Sequence, residues 1–297
     1  MNKINAATRF LMCPPEHFAV TYTINPWMNP EGWAREQRAL GAASRLEWQQ
    51  LHATLSGLGA KVELVPPQAG LPDLVFTANA AVVLDGKALL ARFRHPERQR
   101  EEPHFETAFG RLKERGLVTA IEKLPEGIVL EGAGDCVWDE TRGLFWMGYG
   151  PRSDAAARDY VRAEFGVDAV ALELADDRFY HMDTALCPLS RGELMYYPNA
   201  FTSAGRHLIQ ERVVPEHRIE ISADDARRLA ANAVCLRDTI VLSGCSESLR
   251  DRLNERGYRV VTTPLGSFLR SGGSAFCLTL RLDRRSAAVG SGVRRAA

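Results

Sequence analysis

Three short, widely separated segments of this chain hold side chains that could together do covalent chemistry. "RSGGSAFCLTL" (residues 270–280) sets Cys277 behind a glycine pair and a serine. "FYHMDTALC" (179–187) sets His181 two residues before Asp183, and "LEGAGDCVW" (130–138) sets Glu131 and Asp135 on either side of Gly-Ala-Gly. A cysteine, a histidine and a carboxylate drawn from distant segments are the parts of a nucleophile, a proton shuttle and a group that orients the shuttle. The thiolate is the reactive form, and a nearby imidazolium or a cationic substrate lowers the thiol's pKa. The glycines before Cys277 permit a sharp turn and close approach of a substrate to the sulfur. Read as ordinary structure, Cys277 is a small buried strand residue, His181 a satisfied histidine, and Glu131 with Asp135 a turn cap. Residue types alone leave both readings open.

Further polar residues carry weaker signals. Asp73 in "PDLVFTANAA" follows Pro72 as turn punctuation, and Asn79 in the same segment is compatible with simple backbone bonding. "ARFRHPERQREEP" reads as a solvated charged loop, although an arginine such as Arg98 also suits bidentate capture of a carboxylate. "INPWM" places Asn25 and Trp27 in a proline-bounded loop, either a lid or a packed N-terminal arm. Cys136, Cys187, Cys235 and Cys245 lie in apolar strand patterns and read as core. No GxGxxG, P-loop or HExxH occurs, and the six cysteines form neither a CxxC pair nor a Cys/His cluster, so nucleotide and metal chemistry have no support.

The elements that must position these residues follow one repeating layout: an apolar run, a turn, a second apolar run. "NAAVVLDGKALLARF" pivots on Asp85-Gly86, a strong hairpin signal. "DCVWDETRGLFWMGYG", "DTALCPLSRGELMYYPNAF" and "NAVCLRDTIVLSGC" repeat it; "SAFCLTLRL" supplies half of a fifth, which "RFLMCPP" from the N-terminus can complete. On this pattern His181 and Asp183 share one face of a strand. Helical periodicity fills the intervals in "PEGWAREQRALGAASRLEWQQLHATLSGLG", "HFETAFGRLKERG", "RSDAAARDYVRAEFG", "SADDARRLAANAV" and "SESLRDRLNERG", with Ser222 and Ser246 as N-caps. The unit recurs at roughly 40 to 55 residues, which predicts a mixed α/β fold of five pseudo-symmetric blades closed by the two termini. One domain is expected over 1–285, with 286–297 a disordered tail.

Bulk properties narrow the partners. Lys plus Arg and Asp plus Glu each number 37, and zero net charge argues against a nucleic-acid surface. Neither a signal peptide nor an apolar run of about 18 residues is present, so no membrane partner and a reducing cytoplasm are expected. The remaining partners are a small molecule or further copies of the chain as a homo-oligomer.

In their order along almost the whole chain, "PDLVFTAN", "RFRHPER", "EGAGD", "GPRSD", "HMDTAL" and "GGSAFCLT" resemble segments of the guanidino-group-modifying superfamily. These are five-bladed α/β propellers built of ββαβ-type units, and include arginine deiminases, dimethylargininases, amidinotransferases and arginine dihydrolases. The resemblance implies that Cys277 attacks a guanidinium carbon, that His181 is the general acid and base, and that Glu131 orients it. It further implies that Asp183 and Asp73 line the guanidinium pocket and that Arg98 and Arg152 hold a substrate α-carboxylate. No cofactor or metal is implied. Asn79 stands where deiminases and dimethylargininases have an aspartate, and with Asn25 in the "INPWM" arm it resembles the arginine dihydrolases. A neutral amide can hold both a charged guanidinium and an uncharged ureido group, so the expected activity is hydrolysis of arginine to ornithine, ammonia and carbon dioxide through a covalent thiouronium. The alternatives are a dimethylargininase, an amidinotransferase of the glycine type and, outside enzymes, a non-catalytic binding propeller. A binding-only relative has no reason to keep Cys277, His181, Glu131 and Asp183 together.

Overall fold

Each apolar hairpin becomes part of one three-stranded sheet in the computed structural model, which describes residues 8–286. The antiparallel pairs are β3 (Ala81–Leu84) with β4 (Lys87–Leu90), β6 (Cys136–Asp139) with β7 (Leu144–Tyr149), and β9 (Leu186–Pro188) with β10 (Leu194–Tyr196). β12 (Val234–Leu236) pairs with β13 (Thr239–Leu242), and β15 (Leu280–Arg281) with β1 (Arg9–Met12). A helix then leads to a third strand parallel to the second. These crossovers are α1 (Pro30–Gly57) to β2 (Lys61–Leu64), α2 (Glu102–Glu114) to β5 (Ala120–Lys123), and α3 (Ala157–Phe165) to β8 (Asp168–Glu173). α4 (Ser203–Arg212) leads likewise to β11 (Arg218–Glu220), and α5 (Glu247–Glu255) to β14 (Arg259–Thr262). The fold is therefore the expected five-bladed α/β propeller of ββαβ units.

Local chemistry explains the elements. Asp85 and Gly86 take φ of 55° and 81°, the left-handed pair that a two-residue hairpin needs between Leu84 and Lys87. Ser222 Oγ accepts from Asp225 N at 3.1 Å and Ser246 Oγ from Leu249 N at 3.1 Å, so both serines cap as expected. Gly166 ends α3 in the left-handed region. Burial falls from the axis outward. β3 and β6 are buried along their whole length, whereas every residue of β2, β5 and β14 is half-buried or exposed.

Three expectations change. α4 was not anticipated, because its inward stripe is only Gly205 and Ile209, too thin for a periodicity signal. The helix expected in "SADDARRLAANAV" stops at Arg227, and Leu229 takes φ of 52°. His181 and Asp183 do not share a strand face. Met182–Ala185 is one helical turn with His181 at its N-cap, and the strand begins only at Leu186. The expected tail lies outside the described residues except for Ser286, which is buried and bonds Asp85 through its N and Oγ at 2.8 and 2.7 Å. No helix among the described residues is long and apolar enough to cross a membrane.

The segment just before the first strand of every blade is a tight turn, and each turn carries polar residues to the same end of the ring. Thr77–Ala80 precedes β3, Gly132–Asp135 precedes β6 and Met182–Ala185 precedes β9. Turns ending at Asn232 and around Cys277 precede β12 and β15. The fourth of these is held by Asp225, a buried carboxylate that accepts from Ser222 Oγ (2.8 Å), Ser246 N (2.6 Å) and Ser246 Oγ (2.9 Å). Asp225→Ala orphans these donors and is expected to lower the unfolding free energy by about 3 kcal/mol in urea denaturation.

Candidate active site

Cys277 lies on the hydrogen-bonded turn between Gly272-Gly273 and β15, not in the strand. The glycine pair is required by close packing. A Cβ on Gly272, which has φ of 80°, would sit 2.8 Å from Trp27 and 2.9 Å from Tyr180; one on Gly273 would sit 2.3 Å from the Phe76 ring. Cys277 Sγ donates to Asp183 Oδ2 at 3.2 Å and accepts from Asn232 Nδ2 at 3.0 Å. Burial, then the neighbouring Asp183, push the Cys277 thiol well up. Burial likewise pushes Asp183 up to about 7. Its other oxygen, Oδ1, is buried without a hydrogen-bond partner among the described residues.

His181 forms a second pair with Glu131, Nε2 to Oε2 at 2.8 Å. The same Glu131 oxygen accepts from Arg152 Nη1 at 2.9 Å, and Oε1 accepts from the Arg94 amide at 3.1 Å. Burial opposes ionisation of Glu131, but Arg152 and the bond to His181 outweigh it and hold the carboxyl well below its usual range. Burial brings His181 down to about 4 against the pull of Glu131, so its ring is neutral near pH 7. An ionised Glu131 only accepts, which assigns the ring proton to Nε2 and leaves Nδ1 as the basic nitrogen. Nδ1 lies 3.5 Å from where a Gly134 Cβ would stand.

Gly132 and Gly134 bring this turn against Asn79. A Cβ on Gly132 would stand 2.7 Å from the Asn79 backbone, and one on Gly134 would stand 2.2 Å from Asn79 Nδ2. Asn79 Nδ2 donates to Glu131 O (3.1 Å), and its Oδ1 accepts from Arg98 Nη1 (2.9 Å). Arg98 is buried and spends four of its five N–H groups: one on Asn79, two on Glu101 (2.9 and 2.8 Å) and one on Asp73 O (3.2 Å). Arg152 spends two, on Glu131 and on Ile24 O (3.0 Å), and lies 4.7 Å from the Tyr180 ring centroid. Arg98 is thus mainly internal mortar, whereas Arg152 retains donors. Asp73 accepts from Tyr22 Oη at 2.8 Å.

The "INPWM" arm is strapped across the same end. Asn25 Nδ2 donates to Ser271 O (3.1 Å), its Oδ1 accepts from Trp27 N (2.9 Å), and Trp27 Nε1 donates to Arg178 O (2.7 Å). All nine sequence-derived site residues are buried and engaged in this one network of turns. Sequence reasoning missed Asn232, Glu101, Tyr180 and Ser153, whose hydroxyl bridges Glu131 N (3.0 Å) and Asp135 Oδ2 (2.6 Å). Glu101 alone had a signal, as an acid three residues after Arg98. Asp73, Glu101, Glu131, Asp135 and Asp183 are all buried here with two arginines, Arg98 and Arg152, which pair with Glu101 and Glu131. The other three carboxyls have no cationic partner of their own among the described residues; they are raised by burial and ready to ionise against a cationic ligand. No group of His, Cys, Asp and Glu suited to a metal ion occurs among the described residues.

Over residues 14–284 the chain matches the model of the eukaryotic N,N dimethylarginine dimethylhydrolase family. It is 44% identical, over 92% of its length, to the bifunctional arginine dihydrolase/ornithine cyclodeaminase ArgZ of Synechocystis sp., and spans 37% of that protein. It is 36% identical, again over 92% of its length, to the N(G),N(G)-dimethylarginine dimethylaminohydrolase of Mycobacterium tuberculosis, of which it spans 85%. The crystal structure of the N-terminal domain of ArgZ, a cysteine-to-serine mutant bound to substrate, matches with a TM-score of 0.87 at 42% identity, covering 94% of this chain and 99% of that one.

The raised Asp183 carries a stability signature. An unfolded Asp titrates near 3.8 and this one near 7, so between those values the folded state keeps a proton that the unfolded state has lost. Stability from this group therefore falls as pH rises through that window, and the penalty is complete above it. Asp183→Asn is expected to unfold at higher urea than the parent at pH 8, by on the order of 2 to 4 kcal/mol, with the gap closing towards pH 4. A variant less stable at pH 8 would contradict the buried-carboxylate account.

Proposed function

Because the chain belongs to the N,N dimethylarginine dimethylhydrolase family, we propose that it is a cysteine-dependent hydrolase of carbon–nitrogen bonds in linear amidines, acting on arginine to give ornithine, ammonia and carbon dioxide. The observation that carries the substrate class is Asp183, with Oδ2 on the Cys277 thiol and Oδ1 buried and unpartnered. A guanidinium N–H on Oδ1 satisfies that orphan acceptor, neutralises the pair, and sets a planar electrophilic carbon beside sulfur. The cation also supplies the positive charge that a buried thiolate otherwise lacks.

Attack forms the S–C bond, and the thiol proton passes to His181 Nδ1. His181 returns it to a terminal nitrogen, which leaves as ammonia, and a thiouronium remains on Cys277. Nδ1, again basic, takes a proton from water as the hydroxyl adds to carbon. As the C–S bond breaks, the hydroxyl gives its proton to the departing sulfur, which leaves a ureido group and restores the thiol, and His181 passes its proton to the released ammonia. Glu131 keeps Nε2 protonated and the ring oriented throughout, as a buried carboxylate bonded to a histidine does.

Asn79 supports the second round. Its amide is neutral and held by Arg98 and the Glu131 carbonyl, so it does not select for positive charge when the ligand becomes an uncharged ureido group. A second attack at the ureido carbon releases the second ammonia and leaves a thiocarbamate. Water converts this to a carbamate, which loses carbon dioxide. Two waters are consumed and two ammonias released.

A second reading, dimethylargininase, is favoured by the family's description and by the M. tuberculosis relative. Products from arginine and dimethylarginine assayed side by side decide between them. The expected result is ornithine with two equivalents of ammonia from arginine; citrulline as the sole product, or dimethylamine as the faster one, overturns the dihydrolase reading. Cys277→Ser is expected to lower kcat by about 10⁴-fold or more. Asn79→Asp is expected to accumulate citrulline, with ornithine formation slowed by about tenfold or more.

A further inference from the structure

Four of the five axial turns supply site residues already discussed: Asn79, then Glu131 and Asp135, then His181 and Asp183, then Cys277. The fourth blade's turn, just before β12, ends in Asn232, which no part of the mechanism has used. Asn232 is buried and makes four side-chain hydrogen bonds. Its Oδ1 accepts from Phe276 N (3.0 Å) and Cys277 N (3.2 Å); its Nδ2 donates to Asp183 O (3.1 Å) and to Cys277 Sγ (3.0 Å).

These partners fix the orientation of the amide. Two backbone N–H groups on one side require the carbonyl oxygen there, and the Asp183 carbonyl on the other requires the NH₂. A flipped amide would set donor against donor and acceptor against acceptor. The group touching sulfur is therefore an N–H, and the sulfur must accept it. The thiol's own hydrogen goes to Asp183 Oδ2, so the sulfur already accepts a hydrogen bond from an amide nitrogen whose other contacts are the Asp183 carbonyl and carboxyl. When the proton leaves, this N–H becomes a charge-assisted bond to a thiolate in a water-poor site.

We propose that Asn232 is a catalytic residue whose Nδ2–H stabilises the Cys277 thiolate, both before each attack and each time sulfur is expelled as leaving group. This rests on Cys277 being the nucleophile of the function proposed above. The role is the sulfur counterpart of an oxyanion hole: a preorganised donor aimed at an atom that gains and loses negative charge. Asn232 and the Ser274 backbone N–H pull the thiol pKa down against burial and Asp183, in keeping with that assignment. Among titratable groups, Asp183 is in contact with the sulfur and Tyr180 is coupled to its charge, while the His181–Glu131 pair supplies no bond to it.

The test uses a 2-haloacetamidine, a cationic alkylating agent small enough for the guanidinium pocket, with adducts at Cys277 followed by intact mass in parent and variants. Asn232→Ala is expected to slow alkylation by about 100-fold. Asn232→Asp keeps the acceptors that anchor Phe276 and Cys277 but replaces the donor with an acceptor, so it is expected to slow at least as much. Asn232→Ser, whose hydroxyl can donate, should recover part of the rate. Arginine affinity in a Cys277→Ser background should change by less than roughly threefold on adding Asn232→Ser, which brings no new charge to the guanidinium pocket.

Alkylation of Asn232→Asp within roughly threefold of the parent would overturn the proposal and leave an anchoring role alone. Should Asn232→Ala fail to fold, the near-isosteric Asp and the Ser variant carry the same comparison. A parent that is not alkylated at Cys277, together with turnover surviving Cys277→Ser, would overturn the nucleophile assignment and the role of Asn232 with it. Alkylation of the parent separates the two failures.

Discussion

The Glu131 carboxylate is fully buried yet ionised, because Arg152 and His181 converge on one of its oxygens while the Arg94 amide takes the other. Around that point the rest of the site is arranged. An ionised Glu131 sets the tautomer of His181, and its backbone carbonyl holds the Asn79 amide. Asn79 in turn takes one N–H of Arg98, whose other bonds reach Glu101 and the Asp73 carbonyl. Through Arg152 the same carboxylate reaches Ile24 in the N-terminal arm and the face of Tyr180. A buried charge of this kind is tolerated only when its partners are themselves fixed, which is why so many turns are tied together here.

Close approach is the second constraint. Gly132 and Gly134 admit Asn79, and Gly272 and Gly273 admit Trp27, Tyr180 and Phe76, at distances no side chain would allow. The glycines that look in sequence like flexible punctuation serve compactness: each removes a Cβ where two blades' turns must meet. The outcome is two half-sites, a thiol with Asp183 and an imidazole with Glu131, which the substrate would join.

Much of this was legible in the chain. The repeat, the Asp85-Gly86 hairpin and the serine caps are local signals, and local physics decided them. The nine site residues were named largely because six segments in order resembled one superfamily. What the sequence concealed depends on contacts between distant segments. His181 and Asp183 read as one strand face because a single helical turn is too short to show its own period. Asn232, in "LAANAV", carries no mark distinguishing a loop amide from one pressed against sulfur across 45 positions. The commitment of Arg98 to Glu101, Asn79 and Asp73 was hidden for the same reason, since a charged run gives no hint of which of its members turn inward.

The fifth blade is stitched from both ends of the described chain, with β1 against β15 and the Arg9 amide on Asp283 across 274 positions. Thr77 Oγ1 spans the seam, donating between Leu11 O at 2.8 Å and Leu278 O at 3.2 Å, and Ala78 N donates to Cys277 O at 3.1 Å. Four blades' strands are synthesised before the segment bearing Cys277. The contact that shuts the ring must then await the longest loop closure in the molecule. A prematurely released chain that ends before this segment therefore lacks its sulfur and also the backbone that holds the Thr77 and Tyr180 turns, and it has no assembled thiol centre.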